Sequence, residues 1–198
     1  WPNRTTVDSL WTSFSPDMAI VSQQPDYQQD SLTLFFASPT VDDVDKLWID
    51  QDVFINDNYA INPWTIGVAT FDGLDETGYP HDWSASGATG WADDLTSKPI
   101  DLSSYSIGDS VYISFFYQAG GLGNAPESDD SLVLEFYLPS TSSWQSFWGI
   151  NGFTSDEWYY EHLILDDPIY FQNGFQFRFR SYGSLMGSLD HWNLDYVY

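Results

Sequence analysis

The groups in this 198-residue chain most able to do chemistry are 29 carboxylates and three imidazoles, set against five basic side chains and no cysteine. Two carboxylates hydrolyse a glycoside when they face each other across a cleft at ~5 to 9.5 Å, and among so many acids some pair meets that spacing by accident. A Glu-x-Asp-x-x-Glu strand, which would place such acids on one face, is absent from the sequence. His81, His162 and His191 each lack a second histidine at i+2 or i+4, so no local metal pair forms. Gly183-Ser184-Leu185 and Gly187-Ser188-Leu189 fall short of the Gly-x-Ser-x-Gly elbow of a serine hydrolase. The acidic run from Asp50 through Asp52 to Asp57 is no EF-hand, because Phe54 stands where an oxygen ligand is needed and no glycine follows it. Without cysteine there is neither a disulfide nor a thiolate metal site. These residues read as those of a protein that binds and does not catalyse.

Recognition is the chemistry that remains. Aromatic residues make up 19% of the chain, as 10 Trp, 13 Tyr and 14 Phe. Exposed indole and phenol faces stack on pyranose rings while acids and amides take the hydroxyls. Trp83, Trp91, Trp144, Trp158 and Tyr159 fall in expected loops or strand ends and form the candidate ligand-binding set; the competing reading puts most rings in the core. A formal charge of −24 repels phosphate backbones and anionic lipid surfaces, which excludes nucleic acid as a partner. The same charge strains a compact state and favours multivalent cations as stabilisers.

The elements that must position these groups are strands. Val111, Ile113 and Phe115 alternate with Tyr112, Ser114 and Phe116; Leu132, Leu134 and Phe136 alternate with Val133, Glu135 and Tyr137; Phe175, Phe177 and Phe179 alternate with Gln176, Arg178 and Arg180. A period of two means one face in and one face out. Arg178 and Arg180 share the outward face and are expected to pair with acids such as Glu135. Further strands are expected at 66–71, 94–100, 144–148, 158–165 and 192–198, separated by Gly, Pro, Asn, Asp and Ser clusters. No segment carries a capped i, i+3, i+4, i+7 stripe, so helix is confined to single turns. About eight strands at this spacing describe an all-β antiparallel jelly-roll sandwich. Residues 53–198 are assigned to the sandwich. Residues 1–52, broken by Pro2, Pro16, Pro25 and Pro39, are assigned to an extended N-terminal arm that wraps it, with Trp11, Phe35, Trp48 and Phe54 read as buried. No apolar run approaches the roughly 20 residues of a membrane helix. The close on Asp195-Tyr196-Val197-Tyr198 reads as a strand of a piece cut from something longer.

The strings Gly67-Val-Ala-Thr-Phe-Asp-Gly-Leu-Asp-Glu-Thr-Gly-Tyr-Pro, Leu95-Thr-Ser-Lys-Pro-Ile-Asp-Leu, Asp109-Ser-Val-Tyr-Ile-Ser-Phe-Phe-Tyr, Phe175-Gln-Phe-Arg-Phe-Arg-Ser-Tyr-Gly-Ser-Leu and Asp190-His-Trp-Asn-Leu-Asp-Tyr-Val-Tyr resemble a domain recurrent in surface proteins of gliding, type IX-secreting Bacteroidetes. The order of these strings is also similar, more distantly, to that of MAM and concanavalin-like jelly rolls. The resemblance implies an extracellular or outer-membrane-associated module for binding, adhesion or assembly, with a protein or glycan partner at the cell surface. The alternatives are a lectin-like carbohydrate-binding module, to which the aromatic excess points, or a structural subunit of a secretion or gliding complex. Similar jelly rolls hold a structural Ca²⁺ or Na⁺ between an early turn and the last strand, which nominates Asp72 and Asp195, with Asp75, Asp94 and Asp190 nearby. The Asp-Ser-aliphatic triplets resemble an O-glycosylation signal, which nominates Ser9, Ser31, Ser110 and Ser131. The same triplets also serve as turns whose Asp or Ser side chain bonds the backbone before a strand begins.

Overall fold

The computed structural model describes residues 48–198 except positions 52, 57, 66, 76 and 85. The expectations placed on Trp11, Phe35, Ser9 and Ser31 lie outside the described residues.

In chain order the strands are β1 (Trp48–Gln51), β2 (Phe54–Asn56), β3 (Val68–Gly73), β4 (Thr89–Ser97), β5 (Ile100–Asp101), β6 (Tyr112–Ala119), β7 (Ser131–Leu138), β8 (Ser143–Asn151), β9 (Tyr159–Ile164), β10 (Asn173–Ser184) and β11 (Gly187–Asp195). Sheet one runs β1-β4-β10-β7-β8, with β5 added on β10; sheet two runs β2-β3-β11-β6-β9. Every strand pairing is antiparallel. The chain passes repeatedly between the sheets, and the result is an antiparallel jelly-roll β-sandwich. Helix among the described residues is limited to 3-10 turns at Ile107–Asp109 and Pro168–Tyr170.

Alternation builds the core. From Phe175 onward the odd positions of β10 are buried and the even ones half-buried; Phe175, Phe177 and Phe179 are 4%, 6% and 0% exposed. In β7 Leu132, Leu134 and Phe136 face the same way. Sheet two answers with Phe71, Ile113, Phe115, Tyr117, Trp192 and Leu194. Rings meet edge to face across the gap, as between Phe115 and Phe179 at 4.9 Å, the geometry that the ring quadrupoles favour.

Several expectations are adjusted. The strand expected at 94–100 starts earlier, at Thr89, and breaks after Ser97 before the short β5, because Pro99 cannot donate to a ladder. Trp48 is buried against Phe177, at 5.7 Å between ring centroids, and opens β1 as an edge strand of sheet one. Phe54 is exposed instead of buried, because β2 has only three residues and, among the described residues, no strand lies beyond it to cover the ring. The last strand ends at Asp195 and not at the C-terminal tyrosine. Tyr196 turns into the left-handed region at φ 53°, and Tyr198 then rejoins β6 through a two-way backbone pair with Ser114.

Candidate binding face

The outward side of sheet one gathers the aromatic and charged groups. Even positions of β10 point outward, and register sets their neighbours. Arg180 lies opposite Asp94 on β4 and Val133 on β7, Arg178 opposite Thr96 and Glu135, and Tyr182 opposite Trp91. On the far side Tyr137 pairs with Trp144 of β8. Trp91 and Trp144 therefore share this face, at opposite corners of it.

The middle of the face is a square of four charges. Arg178 donates from Nε to Glu135 Oε2 at 2.6 Å, and Arg180 donates from Nε to Asp94 Oδ1 at 2.5 Å. The diagonals are closed by Arg178 Nη1 to Asp94 Oδ2 at 3.6 Å and Arg180 Nη1 to Glu135 Oε2 at 4.0 Å. Each arginine also covers an indole: the Arg180 Cζ sits 4.4 Å from the Trp91 ring centroid and that of Arg178 4.3 Å from Trp144, within cation–π range. A tyrosine braces each indole, Tyr182 against Trp91 and Tyr137 against Trp144, both at 5.4 Å. The two ends of the face thus repeat one unit of Trp, Tyr and Arg on either side of the square. Strand geometry sets the two tryptophans roughly 20 Å apart along the strands and about 14 Å across them at the backbone.

The other nominated aromatics lie elsewhere. Trp83, 68% exposed, stacks on Tyr79 in the β3–β4 connection. Asp75 holds that connection in shape by accepting the backbone N–H groups of Thr77 and Tyr79. Trp158 donates its Nε1–H to the Ile61 carbonyl and packs on Trp64, so it fastens the 58–65 loop over sheet two. Tyr159 stacks on Tyr117 at the edge of the same sheet.

The nominated metal ligands do not converge. Leu194 pairs with Ala69 and Trp192 with Phe71, so Asp195 is level with the start of β3 and Asp72 with its far end. Four residues of strand, roughly 13 Å, separate their backbones. Asp94 belongs to the charge square. Asp75 is spent on its own loop. Asp72 neighbours His191, its Oδ2 3.7 Å from Nε2, and accepts the Leu74 N–H; burial raises its pKa above the usual carboxylate value. Asp93 accepts from the Asp72 backbone at 2.7 Å and contacts His81 Nε2 at 2.9 Å, and burial pushes it up to about 7. Asp195 has no exposed surface: Thr65 Oγ1 and the Tyr196 N–H donate to Oδ1, while Oδ2 finds no hydrogen-bond partner among the described residues. Burial pushes it, too, up to about 7.

Asp190 joins a group that sequence reasoning missed. Glu127, Asp130 and Asp190 bring one carboxylate oxygen each within 4.8 Å of one another, the one such acidic or metal-ligating trio among the described residues. Burial and mutual repulsion raise Asp130 to about 7 and raise Asp190 as well. The trio joins a turn before β7 to the start of β11, and the sign of it in the sequence was the Asp130-Ser131-Leu132 turn, where Asp130 accepts the Glu127 N–H. Oxygen donors of this type suit Ca²⁺, although an acidic cluster alone does not make an ion site. Asp109 acts in the same turn-forming way, accepting the Ser106 N–H and hydroxyl. Ser110 is exposed at φ 53°, and Ser131 is half-buried in β7.

One Ser–His contact is present. Ser188 Oγ lies 2.9 Å from His191 Nε2, yet the other ring nitrogen faces the Asn124 carbonyl, with no carboxylate there. Tyr59 stacks over the imidazole at 4.6 Å and bonds Ser188 itself. The imidazole is 1% exposed, and burial lowers its pKa. Gly123 packs directly on it, so that a Cβ there would stand 2.6 Å from the ring. The arrangement closes a loop over the sheet and leaves no room for a substrate.

No protein-family model matches the chain, and no curated protein matches it. Among solved structures it is similar to the X-ray crystal structure of a carbohydrate-binding module specific for non-crystalline cellulose. The TM-score is 0.42 and the identity 17%, over 73% of this chain and 79% of that one.

Proposed function

We propose that the chain is a non-catalytic carbohydrate-binding module of a secreted or cell-surface bacterial protein, and that the outer face of sheet one is its site. The observation that carries this reading is the placement of Trp91 and Trp144 on one outward face, each held by an arginine and a tyrosine at either end of a polar strip. Trp91 is 44% exposed, which leaves ring surface for a pyranose. The square between the indoles supplies donors and acceptors for hydroxyls, since a guanidinium carries five N–H groups and a carboxylate about four lone-pair positions. An apolar pocket of about 40 Å³ between Leu102, Val111, Phe136 and Phe175 is too small and too apolar to compete as a sugar site. In the surface setting that the resemblance implies, the module tethers its parent polypeptide to glycan.

The test is isothermal titration of the full chain with soluble oligosaccharides, repeated for Trp91→Ala, Trp144→Ala and Trp83→Ala. Loss of one stacking platform is expected to weaken binding about tenfold, roughly 1.4 kcal/mol, for the first two and to leave the third unchanged. Absence of binding to any glycan, or full binding by both face variants, overturns the reading.

A further inference from the structure

Resting on the reading of this face as a glycan site, we infer that its ligands are uncharged glycan chains, and that Asp94 and Glu135 are the residues that exclude anionic ones. Arg178 and Arg180 are two of five basic residues in the chain. On a surface built to hold a uronate or a sulfated sugar, a guanidinium would offer its fork to the ligand's anion, the pairing that its planar geometry suits best. Here each fork faces a carboxylate of the protein: Arg178 contacts Glu135 and Asp94, and Arg180 contacts Asp94 and Glu135. Two positive and two negative side chains cancel within the square.

All four side chains are only 14–19% exposed, so the pairing is shielded from salt and water more than a loose surface bridge would be. An anionic sugar laid on this face would have to displace a carboxylate that is already in place. It would do so against the field of a chain with a formal charge of −24. An uncharged chain meets neither obstacle. Its hydroxyls can use the N–H groups and lone pairs that the square leaves over, while its ring faces lie on the indoles. The matched ends of the strip, with the tryptophans roughly 20 Å apart along the strands, suit several consecutive sugar rings better than a single one.

The experiment titrates the full chain with uncharged hexasaccharides (cellohexaose, laminarihexaose, mannohexaose) and with two anionic ones, hexagalacturonate and hexamannuronate, at low and high NaCl. At least one uncharged probe is expected to bind at least ~10-fold more tightly than either anionic probe, with an affinity that changes less than about twofold with salt, as expected where no counterions are released. The double variant Asp94→Asn, Glu135→Gln frees both guanidinium groups. Its affinity for hexagalacturonate is expected to rise at least ~10-fold and to become salt-sensitive. Equal binding of uncharged and anionic probes by the wild-type chain overturns the inference and leaves the glycan reading standing. A double variant that keeps its fold by circular dichroism and still rejects hexagalacturonate overturns the role given to Asp94 and Glu135. Binding of none of the five probes sinks this inference, and the glycan reading falls separately only if the broader oligosaccharide titration also fails. The wild-type comparison needs no variant and decides the ligand class by itself.

Discussion

Asp195→Asn removes the most deeply buried carboxyl among the described residues. The carboxyl lies beneath the 58–65 loop with Thr65 and Tyr196 on Oδ1 and no partner on Oδ2 among the described residues. Its pKa of about 7 in the fold stands above the ordinary carboxylate value of 3.8. A carboxyl with a raised folded pKa contributes stability that is complete below its unfolded pKa and is lost as pH rises through the folded value. Between pH 5 and 7 the folded chain holds a proton here that the unfolded chain has released, a slope of up to about 1.4 kcal/mol per pH unit. Asparagine carries no titrating proton, so the stability difference between variant and wild type should shift in favour of the variant by roughly 2 kcal/mol from pH 5 to pH 7. Asp93, Asp130 and His191 also titrate differently in the fold, but they are common to both proteins and cancel in the difference. Urea unfolding at pH 5, 6, 7 and 8 measures it. A difference that stays constant across that range refutes the assignment of a buried, protonatable Asp195.

Three further outcomes are expected. Asp130→Asn removes one of the three carboxylates of the Glu127–Asp130–Asp190 trio, so in EDTA its melting temperature should exceed that of the wild type at pH 8 and match it near pH 5; a cation held by the trio would reverse the sign at pH 8 once Ca²⁺ is added. Gly152→Ala places a Cβ 1.8 Å from the Glu127 carbonyl oxygen, and the forced backbone shift should cost about 1–3 kcal/mol in urea unfolding. Phe179→Ala empties a fully buried ring site against Phe115 and Phe177 and should cost about 3–5 kcal/mol; a loss below 1 kcal/mol would contradict the packing described for the centre of the sandwich.

The fold was legible where alternation was strict. Phe175, Phe177 and Phe179 declared one face of β10, and the placing of Arg178 with Glu135 on outward faces anticipated their ion pair. The binding face was legible only in part. Trp91 and Trp144 stand out as rings, but their sharing a face depends on the strand order β4-β10-β7-β8, which joins segments far apart in sequence and leaves no local trace. The resemblance nominated Asp94 as a metal ligand, and nothing near it in sequence reveals Arg180 on the neighbouring strand. Phe54 looked buried because hydrophobicity does not announce that a strand is short and at the edge. The 58–65 loop hid another layer. Thr70, Gln118, Asn193 and Asp195 alternate as outward polar residues should, yet all four are buried. Gln118 bonds the Ile61 backbone both ways and Thr65 bonds Asp195.

The most direct measurement is a heteronuclear NMR titration of the full chain with an uncharged hexasaccharide, following indole N–H and backbone amide signals. The account predicts shifts for Trp91 and Trp144 and for amides of β4, β7, β8 and β10, with Trp83, Trp158 and Trp192 unmoved. Shifts centred on the Tyr79–Trp83 connection or on sheet two, with the outer face of sheet one silent, would contradict it.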